Sequence, residues 1–334
     1  MATLITGATG LIGARLARER ADAGESVHAL CRTGSNTTFL EHENITIIRG
    51  DVTNAHDVER AMDGCDEVYH LAEFAHTWAP DRTVFERVNV GGLQHVITAA
   101  APNPSTKIVF SSTRMTLAPS DDCAADEFSS ATAPVLTEYA RSKVAAEALA
   151  QRAADRGIHI VIVQPTRMFG PGPLTETNAV TRLVRNYLAG TWRVMPGSGE
   201  CVANYAFVDD IVRGMHCAMM RGRAGERYLL GGENATYLQF FGTVANICGQ
   251  ERWMFGLPRS MAMAFAGLQL KRAQWTKRYP LITPEWTDAV MRHWACTSEK
   301  AQRELGYIIT PMSDALAATI RWIETLALKE GALA

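Results

Sequence analysis

The sequence lacks a strong excess of either charge and any pairing pattern among its cysteines, and each absence excludes a class of protein. Its 33 Lys and Arg residues nearly balance 35 Asp and Glu residues, for a formal net charge of −2. Such a chain has no overall positive field for general nucleic-acid binding. The seven cysteines are scattered and form no Cys-x-x-Cys pair, which argues against a structural zinc or a disulfide framework.

Signals for export and membrane insertion are also missing. The opening residues have no basic segment followed by an apolar one, so no signal peptide is indicated. The most apolar later stretch, 260–270, is about half of the ~20 residues that a membrane span needs. We therefore expect a cytoplasmic protein. Neither a Gly-x-Ser-x-Gly elbow nor a His-Glu-x-x-His pattern is present, so hydrolase and metalloenzyme interpretations have no support, and no metal site is predicted.

What is present, in the first half of the chain, is an alternation of short β-branched runs and longer helical patterns. Such alternation with short connections predicts an α/β fold, a Rossmann-type doubly wound parallel sheet. Strands are predicted over 3–6, 26–31, 45–49, 67–71, 107–111 and 158–164, and helices over 12–23, 57–62, 88–101 and 139–156.

Regularity is lost after Pro165, where the run Gly170-Pro171-Gly172-Pro173 interrupts any regular element. We expect a smaller, mostly helical substrate-binding domain there, interleaved with the first. The predicted dinucleotide-binding domain covers 1–165, and the chain is expected to come back to this domain near 205–226 and near 300–326. The predicted substrate-binding domain covers 166–204 and 227–299.

A glycine-rich turn joins the first predicted strand to the first helix. Its glycines allow a tight turn, a close approach to pyrophosphate and close packing of helix on strand. The helix N-terminus offers N–H groups and partial positive charge to phosphates. An ordinary turn is the alternative, but the strand and helix on either side favour a nucleotide site. The candidate cofactor contacts are Thr6, Gly7, Thr9, Gly10, Leu11, Ile12 and Gly13.

The end of the second strand indicates which dinucleotide is bound. An NAD site usually has Asp or Glu there, whereas a 2′-phosphate needs a cation. This sequence has Arg32 and no acid, and arginine pairs well with phosphate. We predict NADP(H), with NAD(H) still open and a solvated surface arginine as the alternative. Asp51 and Val52, after the third strand, are placed to meet the adenine.

Two further segments carry candidate catalytic groups. Tyr139 and Lys143 are four residues apart, on one face of a helix. Free tyrosine has a pKa near ~10, and a neighbouring lysine together with an oxidised nicotinamide is expected to lower it toward neutral pH. The strand over 107–111 leads into Ser112 and Thr113, where a hydroxyl could orient a substrate carbonyl.

Together these motifs resemble the extended short-chain dehydrogenases/reductases, especially the branch of dihydroflavonol 4-reductase and 3β-hydroxysteroid dehydrogenase-like proteins. The resemblance covers nearly the whole chain and is specific for fold and cofactor, not for substrate. Its further motifs are Gly50-Asp51-Val52, Val68-Tyr69-His70-Leu71-Ala72, Val88-Asn89-Val90-Gly91-Gly92, Gln164-Pro165 and Phe207-Val208-Asp209-Asp210.

The resemblance implies roles for individual residues. Tyr139 is implied as proton donor, and Lys143 as the group that lowers its pKa and binds the nicotinamide ribose. Thr113 matches the catalytic Ser or Thr, with Ser112 as the nearest alternative. Backbone at Leu71, Ala72 and Pro165 is implied to lie against the cofactor.

Three departures from the family pattern bear on the chemistry. Glu73 stands where a second small residue is common, so a carboxylate is expected to face the site. Gln164 replaces an arginine. Arg114-Met115 follows Thr113 in place of the Asp-Glu pair of sugar-nucleotide dehydratases, which argues against a dehydratase.

Residues around the expected pocket suit an apolar or aromatic substrate, although a place in the core is at least as good an explanation for any one of them. Low-ranking substrate candidates are Glu73, Phe74, Trp78, Met115, Met168, Phe169 and Tyr205.

Two surfaces are candidates for contact with a ligand, a membrane or a second copy of the chain. Six basic residues and one acid lie within 251–284, so 257–278 is a candidate lid, an anionic-substrate clamp or a peripheral membrane contact, with a solvated helix face as the alternative. By analogy with the superfamily, the helices over 88–101 and 139–156 are candidates for a homodimer seam.

The sequence therefore predicts an NADPH-dependent reductase of a ketone or aldehyde, reversible as an alcohol dehydrogenase. A nucleotide-sugar epimerase that uses NAD(P) transiently is the first alternative. A non-catalytic NADP-binding regulator is a weaker one.

Overall fold

A computed structural model describes residues 2–120, 123–129, 136–175 and 178–329. Within these ranges seven parallel strands form the central sheet, in the order β10-β6-β5-β4-β1-β2-β3. The order reverses beside β1, which opens a crevice at the carboxyl ends of the strands. The strands are β1 (Ala2–Thr6), β2 (Ser26–Cys31), β3 (Ile45–Arg49), β4 (Cys65–His70), β5 (Lys107–Ser111), β6 (His159–Pro165) and β10 (Arg227–Leu230).

Helices cover both faces of this sheet because its strands are apolar on both sides. One face packs against α1 (Leu11–Asp22), α7 (Val208–Arg221) and α11 (Glu299–Leu305). The other packs against α2 (Ala55–Met62), α4 (Gly92–Ala100) and α5 (Glu138–Ala154). The predicted α/β class and parallel sheet are therefore confirmed.

The second half of the chain builds a separate apolar core beside the crevice. Here β7 (Arg167–Phe169), β9 (Val202–Phe207) and β11 (Glu233–Thr236) form a three-stranded sheet, and β8 (Val194–Pro196) pairs with β12 (Phe255–Leu257). The helices of this part are α6 (Ala179–Leu188), α8 (Tyr237–Cys248), α9 (Arg259–Thr276), α10 (Pro284–Val290) and α12 (Met312–Lys329).

Three predicted boundaries disagree with these elements. Arg227–Leu230, assigned to the substrate-binding part, is a strand of the central sheet paired with β6. Helix α12, assigned to a return of the first domain, packs with α8 in the second core. Strand β9, at the start of the predicted return near 205–226, belongs to the small sheet. A short apolar run or a helical periodicity in the sequence predicts the type of element, but it does not predict which of the two cores that element packs into. The division into two domains itself stays a prediction.

The predicted helix over 88–101 starts earlier than expected and is not uniform. A short helix, α3 (Thr83–Glu86), leads through a π-helical turn, Arg87–Gly91, into α4. The turn carries the buried Asn89, whose amide holds the loop after β4. Across the described ranges, none of the helices combines the length and the apolar character needed to cross a membrane.

Candidate active site

A cavity of about 830 Å³ lies at the carboxyl edge of the central sheet. One end is lined by the glycine turn and the ends of β2 and β3, and the other by residues of the second core and α10. The described part of the chain contains no cluster of three or more His, Cys, Asp or Glu residues able to hold a metal ion.

The glycine turn has the shape that the sequence predicts. Gly7 has a φ of +71°, and a Cβ there would come within 2.7 Å of the Leu71–Ala72 backbone. A Cβ at Gly13 would overlap the Gly7 carbonyl. Gly10 caps α1 without a side-chain hydrogen bond, so the first amides of the helix face the cavity. These residues fit a dinucleotide pyrophosphate.

Most of the predicted cofactor contacts line the cavity; besides the buried Lys143, the exception is Thr6. Its side chain is buried, where the hydroxyl pairs with Nδ1 of His70 at 2.9 Å and accepts the Ala72 N–H at 3.1 Å. Thr6 therefore supports the loop after β4 from below. The predicted contacts that do line the cavity are Gly7, Thr9, Gly10, Leu11, Ile12, Gly13, Arg32, Asp51, Val52, Leu71, Ala72 and Pro165.

Arg32 reaches the adenine end of the cavity with an exposed side chain. Arg49, which the sequence analysis missed, donates to the Arg32 carbonyl oxygen at 3.1 Å and so steadies the end of β2. Nearby, the Asp51 carboxylate accepts from the backbone N–H of Thr53 at 2.9 Å. This end of the cavity thus carries an exposed cation, and the contact of Arg32 with a 2′-phosphate stays a prediction.

Tyr139 and Lys143 lie on one face of α5, one turn apart, as the spacing predicts. Thr137 caps the helix by accepting the Ala140 N–H at 3.1 Å. Tyr139 reaches the cavity, whereas Lys143 is buried beneath it, and its Nζ donates to the Ser111 carbonyl at 2.7 Å. The implied contact of Lys143 with the nicotinamide ribose stays a prediction.

The carboxylate of Glu73 joins these two residues. Its Oε2 accepts the Tyr139 hydroxyl at 2.9 Å and lies 2.8 Å from Lys143 Nζ. Burial raises the pKa of Tyr139 well above its ordinary value, the Glu73 charge raises it further, and a hydrogen bond with Thr113 lowers it. The expectation that Lys143 and an oxidised nicotinamide together lower this pKa toward neutrality stays a prediction; within the chain itself, burial and the Glu73 charge act in the opposite direction.

Thr113, rather than Ser112, faces Tyr139. The Ser112 hydroxyl is buried and donates to Glu147, and Gln164 donates to the same carboxylate at 2.9 Å. Gln164, where the family pattern has arginine, thus belongs to a buried polar network behind the site. Thr113 lines the cavity and shares a hydrogen bond with Tyr139.

The predicted substrate residues separate into three groups. Glu73, Phe74, Met115 and Met168 line the cavity. Trp78 is outside the lining and meets Tyr279 edge to face, with the ring centroids 6.2 Å apart. Phe169 and Tyr205 are wrong predictions, since both pack against Phe240 in the second core. Both residues lie on strands, where side chains alternate between the two faces, and theirs point into the second core. An assignment of these segments to loops does not predict this alternation.

The sequence analysis missed much of the aromatic wall opposite the glycine turn. The centroids of the Trp286 and Tyr139 rings are 6.5 Å apart, with the ring planes inclined by 28°, and the Tyr279 and His76 ring centroids are 5.0 Å apart. Tryptophan and tyrosine among the prolines of 279–294 were the available signal. The cavity residues that were missed include His76, Arg167, Asn204, Tyr279, Trp286 and Trp294.

Known proteins resemble this chain in sequence and in structure. Residues 3–231 match the family model described as "NAD dependent epimerase/dehydratase family". A putative dihydroflavonol 4-reductase from Synechocystis is 28% identical over 326 residues, with 96% of this chain and 94% of that protein covered.

Two solved structures share the fold. The crystal structure of gox2253 matches with a TM-score of 0.82 and 27% identity, covering 100% of this chain and 99% of that one. UDP-glucose 4-epimerase from Thermotoga maritima matches with a TM-score of 0.81 over 98% and 99% of the two chains; at 20% identity this likeness shows the fold alone. This chain belongs to the NAD dependent epimerase/dehydratase family, within the extended short-chain dehydrogenases/reductases, and is an NAD(P)-dependent oxidoreductase.

Proposed function

We propose that the protein is an NADPH-dependent reductase of a ketone or aldehyde in a largely apolar or aromatic small molecule. The observation that carries this proposal is the position of Tyr139 at the cavity wall, beside Thr113 and next to the Trp286 ring, where burial raises the pKa of its hydroxyl. A phenol that keeps its proton is suited to donate it to a carbonyl oxygen. The aromatic wall suits a flat, apolar substrate.

In this mechanism each group of the site has one task. The glycine turn and Pro165 would hold a nicotinamide cofactor, which would supply a hydride to the carbonyl carbon. Thr113 holds the carbonyl oxygen, and Tyr139 gives that oxygen its proton, so the carbonyl becomes an alcohol. Positioning supplies most of the acceleration, and proton donation adds about 10²–10⁴-fold. The Tyr139 phenolate that remains lies beside Lys143 and recovers a proton from solvent in the open cavity.

Removal of the Tyr139 hydroxyl tests this assignment. Tyr139→Phe should lower carbonyl-dependent NADPH oxidation by about 10²–10⁴-fold, while NADPH binding changes little because the ring packing is kept. The assay is NADPH consumption over a panel of ketones, steroids, flavonoids and polyketides. Retained turnover in the variant would remove Tyr139 from the mechanism.

A nucleotide-sugar epimerase is the second candidate, favoured by the family description and by a structural relative of that activity. Against it, no acid follows β2, where an enzyme that retains NAD would use one. An epimerase oxidises and reduces within one cycle and consumes no NADPH. Stoichiometric NADPH consumption therefore supports the reductase, and interconversion of sugar nucleotides without it supports the epimerase.

The surface of α9 supports a proposal about where the enzyme meets an apolar substrate. Its solvent-facing side carries Met261, Phe265, Leu268 and Trp275, all exposed, in a helical stripe. Two exposed cations, Lys271 and Arg272, lie between Leu268 and Trp275, and two more, Lys277 and Arg278, follow Trp275. The next residue, Tyr279, lines the cavity.

We propose that this stripe rests on an anionic membrane surface. Apolar side chains among cations are typical of interfacial helices. A second copy of the chain fits less well, because two copies of the stripe would bring like charges together. The homodimer seam through α4 and α5 is a separate prediction.

A further inference from the structure

The site contains a carboxylate that the proposed mechanism does not require. A single oxygen of Glu73 meets both the Tyr139 hydroxyl, at 2.9 Å, and Lys143 Nζ, at 2.8 Å. The side chain lines the cavity and is 19% exposed. It therefore lies between solvent and the two groups that the family resemblance places at the centre of the chemistry.

The backbone on both sides of Glu73 is fixed. Before it, the Ala72 N–H donates to the Thr6 hydroxyl at 3.1 Å. After it, the Phe74 N–H donates to Asn89 Oδ1 at 2.7 Å, and Asn89 Nδ2 donates back to the Phe74 carbonyl at 3.3 Å. Because the backbone is held by hydrogen bonds on both sides of Glu73, the loop fixes the position of the Glu73 carboxylate.

Few charged groups compete with Glu73 for the Tyr139 hydroxyl. Lys143 is one turn along α5, and Thr113 approaches from the end of β5. His70 of β4 stays neutral, since burial and then the Lys143 charge lower its pKa to about 3. Glu138, the neighbour of Tyr139 on α5, is engaged by Arg82 and Arg141. The ring itself packs against Phe85 of α3 and Trp286 of α10, which carry no charge.

Two electrostatic effects of Glu73 act in the same direction. Its negative charge disfavours a phenolate at Tyr139, and it neutralises the ammonium of Lys143 that would favour one. We propose that Glu73 is a positioning residue that keeps Tyr139 in its protonated, proton-donating form. Alcohol oxidation requires the reverse proton transfer, from the alcohol to a Tyr139 phenolate, and burial of the ring together with the Glu73 charge keeps that phenolate scarce at neutral pH.

The direct test is a tyrosinate titration of the cofactor-free protein, followed by ultraviolet absorbance. Relative to the wild type, Glu73→Gln should bring the ionisation of one tyrosine to lower pH by about 1–3 pH units. The change should be absent when Tyr139→Phe is added. Glu138→Gln is the matched control, because it removes an equal charge one residue away that does not face the hydroxyl; its titration should follow the wild type.

The consequence for catalysis rests on the proposed reduction and is measured separately. For an alcohol and carbonyl pair that the wild type turns over, Glu73→Gln should move the rise of the oxidation rate with pH to lower pH. The expected displacement equals the one in the tyrosinate titration, because oxidation uses the Tyr139 phenolate as its base. If Glu73→Gln does not fold, Glu73→Ala, which restores the small residue common at this position, carries the same measurements.

The outcomes separate the two proposals. Superimposable titrations of the wild type and Glu73→Gln would overturn the role of Glu73, as would a change that persists with Tyr139→Phe. A displaced titration with an unchanged pH profile of oxidation would overturn its effect on catalysis. A displaced titration in a protein that reduces no carbonyl compound would instead count against the proposed function.

Discussion

Arg32 is the residue on which we expect cofactor choice to depend. Its guanidinium is exposed at the adenine end of the cavity, so it can meet a 2′-phosphate without first breaking a buried contact. A charge-assisted pair of this kind contributes about 1.5–3 kcal/mol. Arg32→Ala should therefore weaken NADPH binding by about 10–100-fold and leave NADH binding nearly unchanged, measured as dissociation constants by fluorescence titration.

A matched control for that substitution is Arg18→Ala. Arg18 is an exposed cation on α1 that pairs with Asp22 and does not line the cavity. It should leave both dissociation constants unchanged. Equal losses of NADPH and NADH binding in Arg32→Ala would contradict a phosphate contact and would instead indicate stacking of the guanidinium on adenine.

At the same scale, sequence patterns predicted positions better than interactions. Tyr139 and Lys143 could be paired because four residues make one helical turn, and the loop of Glu73 could be placed at the end of β4. The contact of Glu73 with both groups could not be predicted, since it depends on the clamp by Asn89, a partner 15 residues away on a π-helical turn. Burial of the Tyr139 ring and the Glu73 charge, which raise the pKa of Tyr139, could therefore not be weighed against Lys143 from the sequence.

Among the elements, the strand-turn-helix unit from β1 to α1 is the one most completely specified by its sequence. Gly13→Ala should abolish measurable NADPH binding, because the new Cβ would overlap the Gly7 carbonyl and move the turn away from the pyrophosphate. The change should also destabilise the protein by about 1–3 kcal/mol, the cost of overpacking. Fluorescence titration and denaturant unfolding measure the two effects.

Gly242→Ala gives the matched comparison for Gly13→Ala. Gly242 lies on α8, and a Cβ there meets nothing within 4 Å. The substitution should stabilise the protein by about 0.5–1 kcal/mol through helix propensity and leave NADPH binding intact. If Gly13→Ala behaved like Gly242→Ala, the glycine turn would not be the pyrophosphate site.

Across the whole molecule, the second half of the chain was the harder part to predict. The central sheet follows from local periodicity, because each strand and each helix repeats one pattern. The cavity wall does not, because Trp286 and Tyr279 reach Tyr139 and His76 only after α9 and α10 have packed together. Helix α12 likewise packs against α8, from which it is separated by more than 60 residues of sequence. Hydrophobic periodicity does not predict contacts between segments so far apart in the chain.

Membrane contact through α9 is a property of the whole molecule, since it would bring the cavity mouth to the lipid. The protein should co-sediment with phosphatidylglycerol vesicles, bind weakly to phosphatidylcholine vesicles and lose binding as salt rises. At about 1 kcal/mol per cation, Lys271→Glu with Arg272→Glu should weaken this binding at least about tenfold, whereas Arg60→Glu, an exposed cation on α2, should not. Equal binding to both lipids would contradict an electrostatic contact. A dimer dissociated by the α9 substitutions would assign the stripe to a second copy of the chain, because only a protein partner changes the molecular mass in solution without vesicles.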